Sequence, residues 1–240
     1  RRRQWNPHVV SKFDWDVIDA MTLHIYTPVP ADLAEFSGAA KLGHWGAYWV
    51  KHWHEVKELS AIPDDTPIWL SEWDNGFQRY PRDWAHGLMG SFTLGQFLAT
   101  GQVQVTSFHQ FDGAFTKEGL HPISTVIGQW SLASRGATVA RELNFGGEIL
   151  LPSSHSDATR GGLSSLIGWQ FTGAGHAPSY LLTNLSNLPV ELDISNWSEG
   201  LDTLTVVASD DLDSMGPLEP LAQPVADSIT LPVYSVSVLH

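Results

Sequence analysis

Residues 66–76, Thr-Pro-Ile-Trp-Leu-Ser-Glu-Trp-Asp-Asn-Gly, form a short apolar run that closes on an acid. Residues 66–73 read as a short apolar strand, and Asp74-Asn75-Gly76 breaks it. A carboxylate at the end of a buried strand is costly unless it has a partner or a task. Glu72 is therefore a partnered structural acid, an ordinary loop acid or a chemical group, and the rest of the chain has to decide among them.

Working outward, residues 17–26 are mostly apolar and stop at Thr27-Pro28, which predicts another buried strand. Residues 38–59 place Trp45, Trp49, Trp53, Val56 and Leu59 at helical spacing. A turn-rich loop, 60–67, leads into the stretch around Glu72. Beyond it, residues 82–100 read as a helix apolar on Trp84, Leu88, Phe92 and Phe97, with Gly101 as its stop. Residues 102–111 form a third strand, and a helix opens at Pro122 and runs to about Ser134. Strand and helix thus alternate three times. Each crossover is long enough to bring the chain back parallel to itself, which implies a parallel sheet in an α/β fold.

After Gly136 the pattern changes. Short β-rich segments at 147–151, 164–171, 179–185, 189–194, 202–208 and 228–239 are separated by Gly, Pro, Ser, Asn and Asp, as expected of an antiparallel β-sandwich. Residues 209–227 read as an extended loop. The expected organisation is residues 1–135 as the α/β part and 136–240 as the sandwich.

Composition narrows the function. The 240 residues are 42% hydrophobic and 16% charged, which is globular, and the net charge of -13 disfavours nucleic acid and anionic lipid. Arg1-Arg2-Arg3 is read as a local surface feature. The absence of cysteine removes disulfides and thiolate metal sites. No apolar run approaches the roughly 18 residues of a membrane span, and no signal peptide is expected within these residues. Nine of the eleven tryptophans precede residue 131. An indole offers a broad apolar face with one N–H, so this bias predicts a carbohydrate site, set against core filling as the plain alternative.

The three strand ends offer His24 and Tyr26, then Glu72 and Trp73, then His109, Gln110 and Asp112. In a parallel barrel these would converge on one rim, where catalytic groups sit. His52-Trp-His54-Glu55 invites a metal reading. However, helical positions two apart point about 200° away from each other, so no metal site is expected. Asp16, Asp19, Asp74 and Asp112 are read as caps, turns or surface, and His44, His86 and His121 as helix-surface or helix-end residues.

Pro67-Ile-Trp-Leu-Ser-Glu-Trp73 is similar to the seventh-strand motif of glycoside hydrolase clan A, in which the Glu is the nucleophile. Met21-Thr-Leu-His-Ile-Tyr26 resembles the sixth strand of that fold and Gly101-Gln-Val-Gln-Val-Thr-Ser-Phe-His-Gln110 the eighth. Leu231-Pro-Val-Tyr-Ser-Val-Ser-Val-Leu239 resembles the closing strand of the sandwich in β-xylosidase-like and α-L-arabinofuranosidase-like members. The resemblance implies a partial (β/α)8 TIM barrel over 1–135 and a β-sandwich over 136–240. It implies a retaining hydrolase of plant- or algal-type polysaccharide or oligosaccharide. Glu72 would be the catalytic nucleophile, with His24, Tyr26, Trp73, Asn75, His109 and Gln110 bordering the sugar. Clan A enzymes carry their acid/base in an Asn-Glu pair on the fourth strand. No Asn-Glu pair occurs here, so the strands bearing it are expected to precede residue 1. The eighth strand departs from the many members that end it in Trp. The implied partner is a carbohydrate, with no cofactor and no metal; oligomeric state is left open, and a secreted or periplasmic location fits such an activity. The rival reading is a carbohydrate-binding protein without turnover. A different (β/α)8 hydrolase ranks last, because its usual metal or phosphate motifs do not appear. The first strand is also expected to leave an open sheet edge.

Overall fold

A computed structural model describes residues 8, 10–60, 62–76, 82–109, 115–116, 119–145, 164–197 and 200–240, with the backbone alone at 59–60, 115–116 and 119–120. The alternation seen in the sequence is present. Strand β1 (Met21–Thr27) leads to helix α1 (Gly38–Ser60), β2 (Ile68–Asn75), α2 (Trp84–Ala99) and β3 (Val103–Phe108). A two-residue pair, β4 (Phe115–Thr116) and β5 (Gly119–Leu120), precedes α3 (Pro122–Ala133). β1, β2 and β3 form a three-stranded sheet in that order, parallel throughout.

The helices cover one face of this sheet. Ile25, Ile68, Leu70 and Trp73 pack with Leu42, Trp45, Trp49 and Trp53 of α1 and Leu88, Met89, Phe92 and Phe97 of α2. The opposite face carries exposed side chains, including Trp69 at 46% and Val105 at 53%. The outer edge of β1 has no strand partner among the described residues. Two local signals set the helix ends as expected. Asp83 caps α2 by accepting from the backbone N–H of His86, and Gly101, at φ +67°, takes the left-handed turn after the helix at no steric cost.

The antiparallel part follows α3 directly. Its strands are β6 (Val139–Leu143), β7 (Leu166–Gly173), β8 (His176–Asn184), β9 (Val190–Asp193), β10 (Thr203–Ala208), β11 (Leu221–Pro224), β12 (Ser228–Leu231) and β13 (Ser235–Leu239). Six of them form one sheet in the order β11-β10-β13-β8-β7-β6, and β12 pairs with β9. Side chains alternate across the large sheet with the period of two that a strand imposes. Trp169, Phe171, Leu181, Val207, Val236 and Val238 face α2 and α3 and join the core of the parallel part. Leu166, Tyr180, Leu182, Leu204, Val206 and Leu239 face the other way, against Ile229 and Leu231. The central strands of the sheet are therefore buried on both faces, and every residue of β13 is buried.

Several expectations need correction. The run 228–239 is two strands, not one, broken at Tyr234, which adopts φ +44°. The expected loop 209–227 contains β11, whose four residues are all exposed and so carry no alternation to read. β6 went unread for the same reason, being exposed over four of its five residues. The expected strand 147–151 lies outside the described residues. The tryptophan bias is mostly core filling. Trp45, Trp49, Trp53, Trp73, Trp84, Trp130 and Trp169 are all buried, and Trp49 stacks on Trp53 at 5.9 Å between ring centroids. Among the described residues no His, Asp and Glu cluster could hold a metal ion, and no helix is long and apolar enough to cross a membrane.

Candidate active site

Register decides where Glu72 points. Leu23 pairs with Leu70, but the next pair is His24 with Glu72, so Ser71 is an extra residue in β2. Such a bulge re-aims the side chains that follow it. Buried positions run Ile68, Leu70, Trp73, a spacing of two and then three. Under strict alternation through Ser71, Glu72 would share a face with Ile68 and Leu70 and enter the helical layer. With the bulge, Glu72 stands on the uncovered face with its side chain 36% exposed. The signal is legible afterwards in Leu70-Ser-Glu-Trp73, where two polar residues sit between two apolar ones.

Three side chains from the flanking strands meet this carboxylate. Tyr26, near the end of β1, donates its hydroxyl to Oε2 of Glu72. His24, two residues earlier on the same face, has Nδ1 at 3.3 Å from Oε2. His109 follows β3, and its backbone N–H donates to the Trp73 carbonyl at 2.9 Å, extending the ladder by one residue. That bond holds its Nδ1 at 3.1 Å from Oε2. The rings of Tyr26 and His109 meet edge-on, with centroids 5.1 Å apart.

The electrostatics follow from these contacts. The Tyr26 hydrogen bond is the main influence holding the Glu72 carboxyl below its ordinary pKa, aided by His24 and His109 and opposed by desolvation. Tyr26 is pushed up to about 12, chiefly by burial and then by the hydrogen bond and negative charge of Glu72, with a smaller contribution from Asp74. Glu72 is thus an ionised, oriented carboxylate at a strand tip, reachable from solvent. That is what nucleophilic or electrostatic attack on a sugar requires.

Trp73 and Asn75 are not brought to it. Trp73 is 2% exposed and packs edge-on against Phe97 and Phe108, because strand parity turns it under α2. Asn75 shares that side, and its amide donates to the Met89 carbonyl at 3.0 Å and to Thr93 at 2.8 Å. Gln110 and Asp112 lie outside the described residues.

Two surface readings, Asp74 and His86, are corrected by burial, and His44 is partly buried. Asp74 is fully buried, with Arg82 at 3.1 Å and His86 of α2 at 3.0 Å; two partners offset the cost of burying its charge. His86 is 1% exposed rather than on the helix surface, and Trp45 stacks over it. His44 pairs with Asp32 at 2.9 Å and stacks on Phe36 at 4.2 Å. None of these partners is near in the helical repeat, so no local spacing could have indicated them.

No family model and no curated protein matches the sequence. Solved structures do match it in fold. A family 51 α-L-arabinofuranosidase from Bifidobacterium longum is 14% identical with a TM-score of 0.67, over 99% of this chain and 56% of that one. An α-L-arabinofuranosidase from Thermotoga maritima, in complex with arabinose, is 19% identical with a TM-score of 0.62, over 99% and 55%. The GH51 arabinofuranosidase from Xanthomonas axonopodis pv. citri gives 13% and 0.57 over the same shares. This chain therefore spans about half the length of the arabinofuranosidases it resembles, and its structural neighbours are clan A glycoside hydrolases.

Proposed function

We propose that this chain is the C-terminal part of a retaining glycoside hydrolase acting on plant- or algal-type saccharides. Glu72 is its nucleophile. In this reading β1, β2 and β3 are the last three strands of a (β/α)8 barrel, residues 1–135 belong to that barrel and residues 136–240 are the sandwich behind it. The observation that carries it is the position of Glu72: an exposed-face carboxylate at a parallel strand tip, gripped by Tyr26, His24 and His109. The likeness in fold to arabinofuranosidases supports a pentose-containing substrate as the first to try.

Retaining hydrolysis uses two carboxyl groups about 5–5.5 Å apart. Glu72, ionised, attacks the anomeric carbon and forms a glycosyl ester. A carboxylic acid from the preceding part of the protein protonates the departing oxygen. As a carboxylate it then takes a proton from the water that hydrolyses the ester. Tyr26 orients Glu72, His24 and His109 border the sugar, and Gln110, next to His109 in sequence, is assigned to the same subsite. Replacing Glu72 with Ala in the whole protein is expected to lower turnover by about 10⁴-fold or more, with azide restoring part of it as a glycosyl azide. Full activity in that variant would remove Glu72 from the mechanism.

One observation favours a second reading. Among the described residues Glu72 is the one carboxylate open at the rim, since Asp74 is committed to Arg82 and His86. A carbohydrate-binding protein without turnover fits that fact. Oligosaccharide binding without product, in the whole protein, would establish it instead.

A further inference from the structure

All three groups at the rim converge on a single oxygen. Tyr26 donates its hydroxyl to Oε2 of Glu72, His24 Nδ1 and His109 Nδ1 lie 3.3 and 3.1 Å from the same atom, and Oε1 has no hydrogen-bond partner among the described residues. Keeping the carboxylate ionised does not demand this, because the donors could be shared between the two oxygens. Gathering them on one makes the oxygens unequal. An ionised carboxylate only accepts, so each imidazole nitrogen facing it must carry the hydrogen. Of the two imidazoles, His109 is the better fixed. Its side chain is 21% exposed against 52% for His24, its backbone is tied to Trp73, and its ring rests against Tyr26.

Resting on the hydrolase reading, we propose that Oε1 is the attacking atom and that His109 is a positioning residue acting through Oε2, where its hydrogen favours release of the sugar. In the first step an Oε1 lone pair bonds to the anomeric carbon. The glycosidic C–O bond breaks, and its electron pair leaves with the oxygen, which is protonated by the carboxylic acid named above. Oε2 becomes an ester carbonyl and loses negative charge, so the donors on it hold less tightly and the attack gains nothing from them. In the second step water attacks the anomeric carbon and gives its proton to the conjugate base of that acid. The C–Oε1 bond breaks, its pair returns to the carboxylate, and charge reappears on Oε2. Donors that tighten as charge develops stabilise that transition state. The arrangement therefore accelerates breakdown of the ester more than its formation.

Among the described residues, the groups facing Glu72 are Tyr26 and His24 from β1 and His109 beyond β3, and Tyr26 also feels Asp74, which is held by Arg82 and by His86 of α2. Two variants of the whole protein separate the roles. His109→Leu removes the donor. His109→Asn keeps an N–H near the same place that does not titrate. With 2,4-dinitrophenyl α-L-arabinofuranoside or β-D-xyloside, whose leaving group makes ester breakdown slow, His109→Leu is expected to lower kcat about 10- to 100-fold. KM falls with it, so kcat/KM changes by less than about 3-fold. His109→Asn recovers most of kcat. The acid limb of kcat/KM moves to higher pH in His109→Leu and stays in place in His109→Asn. A fall in kcat/KM equal to the fall in kcat, unchanged kcat, or an Asn variant no better than Leu would each overturn the proposal. Glu72→Ala is assayed alongside. If it stays active the hydrolase reading fails. If it is inactive and rescued by azide while His109→Leu behaves as wild type, this inference alone fails.

Discussion

Tyr26 and Glu72 share one hydrogen bond, and each moves the other in pKa: the carboxyl down, the phenol up to about 12. Tyr26→Phe removes the largest influence on Glu72. The acid limb of kcat/KM in the whole protein is then expected to shift to higher pH, and activity to fall about 10- to 100-fold. An unmoved limb would count against the Tyr26 bond as the controlling contact. The same pair ties stability to pH at both ends. Glu72 is depressed, so its contribution is present above its ordinary pKa of 4.5 and is lost as pH falls through the folded value. Tyr26 is raised, so its contribution is present below its ordinary 10.0 and is lost as pH rises through about 12. Urea midpoints at about pH 9 and about pH 11.5 should therefore converge in Tyr26→Phe relative to wild type. That Glu72 stands apart from its strand was legible from sequence, because an acid at a buried strand end is an anomaly. What Asp74 and His86 do was not, because their partnership joins a strand tip to a helix twelve residues on, with nothing periodic between them.

Helices and strands were read from hydrophobic period, and the three parallel strands and three long helices lie where that period put them. The bulge at Ser71 was the element-level feature that escaped, because a strand was assumed to keep strict alternation. It also makes a test. Deleting Ser71 restores alternation with Ile68, Leu70 and Trp73 in phase under the helices and Glu72 still opposite His24 on the uncovered face. Activity in the whole protein is therefore expected to be largely retained. A loss as deep as in Glu72→Ala would show that the bulge itself, and not the register, aims Glu72. Exposed strands such as β6 and β11 were invisible for the opposite reason: with no buried face there is no alternation to detect.

At the scale of the molecule, one core runs from α1 through α2 and α3 into the six-stranded sheet. The boundary near residue 135 divides two topologies without dividing the core. Polar bonds cross it as well. Trp84 of α2 donates to the Tyr234 carbonyl at 2.7 Å, and Ser91 meets Thr183 of β8 at 2.7 Å while accepting from Trp130 at 2.8 Å. Trp84→Phe keeps most of the ring but leaves that buried carbonyl unpaired, which is expected to cost about 1–3 kcal/mol by chemical denaturation. A change below about 0.5 kcal/mol would mean that this bond contributes little to joining the two parts. The tryptophans were misleading in sequence because an indole suits a core and a sugar equally well. Only burial separates the two, and burial is a property of the assembled layers.

The central claim, that Glu72 attacks the sugar, is tested most directly by trapping. The whole protein would be treated with an activated 2-fluoro glycoside, digested, and its peptides mapped by mass spectrometry. A glycosyl group carried by Glu72 is the expected result. A label on another carboxylate, or turnover with no covalent intermediate and inverted product, would contradict it.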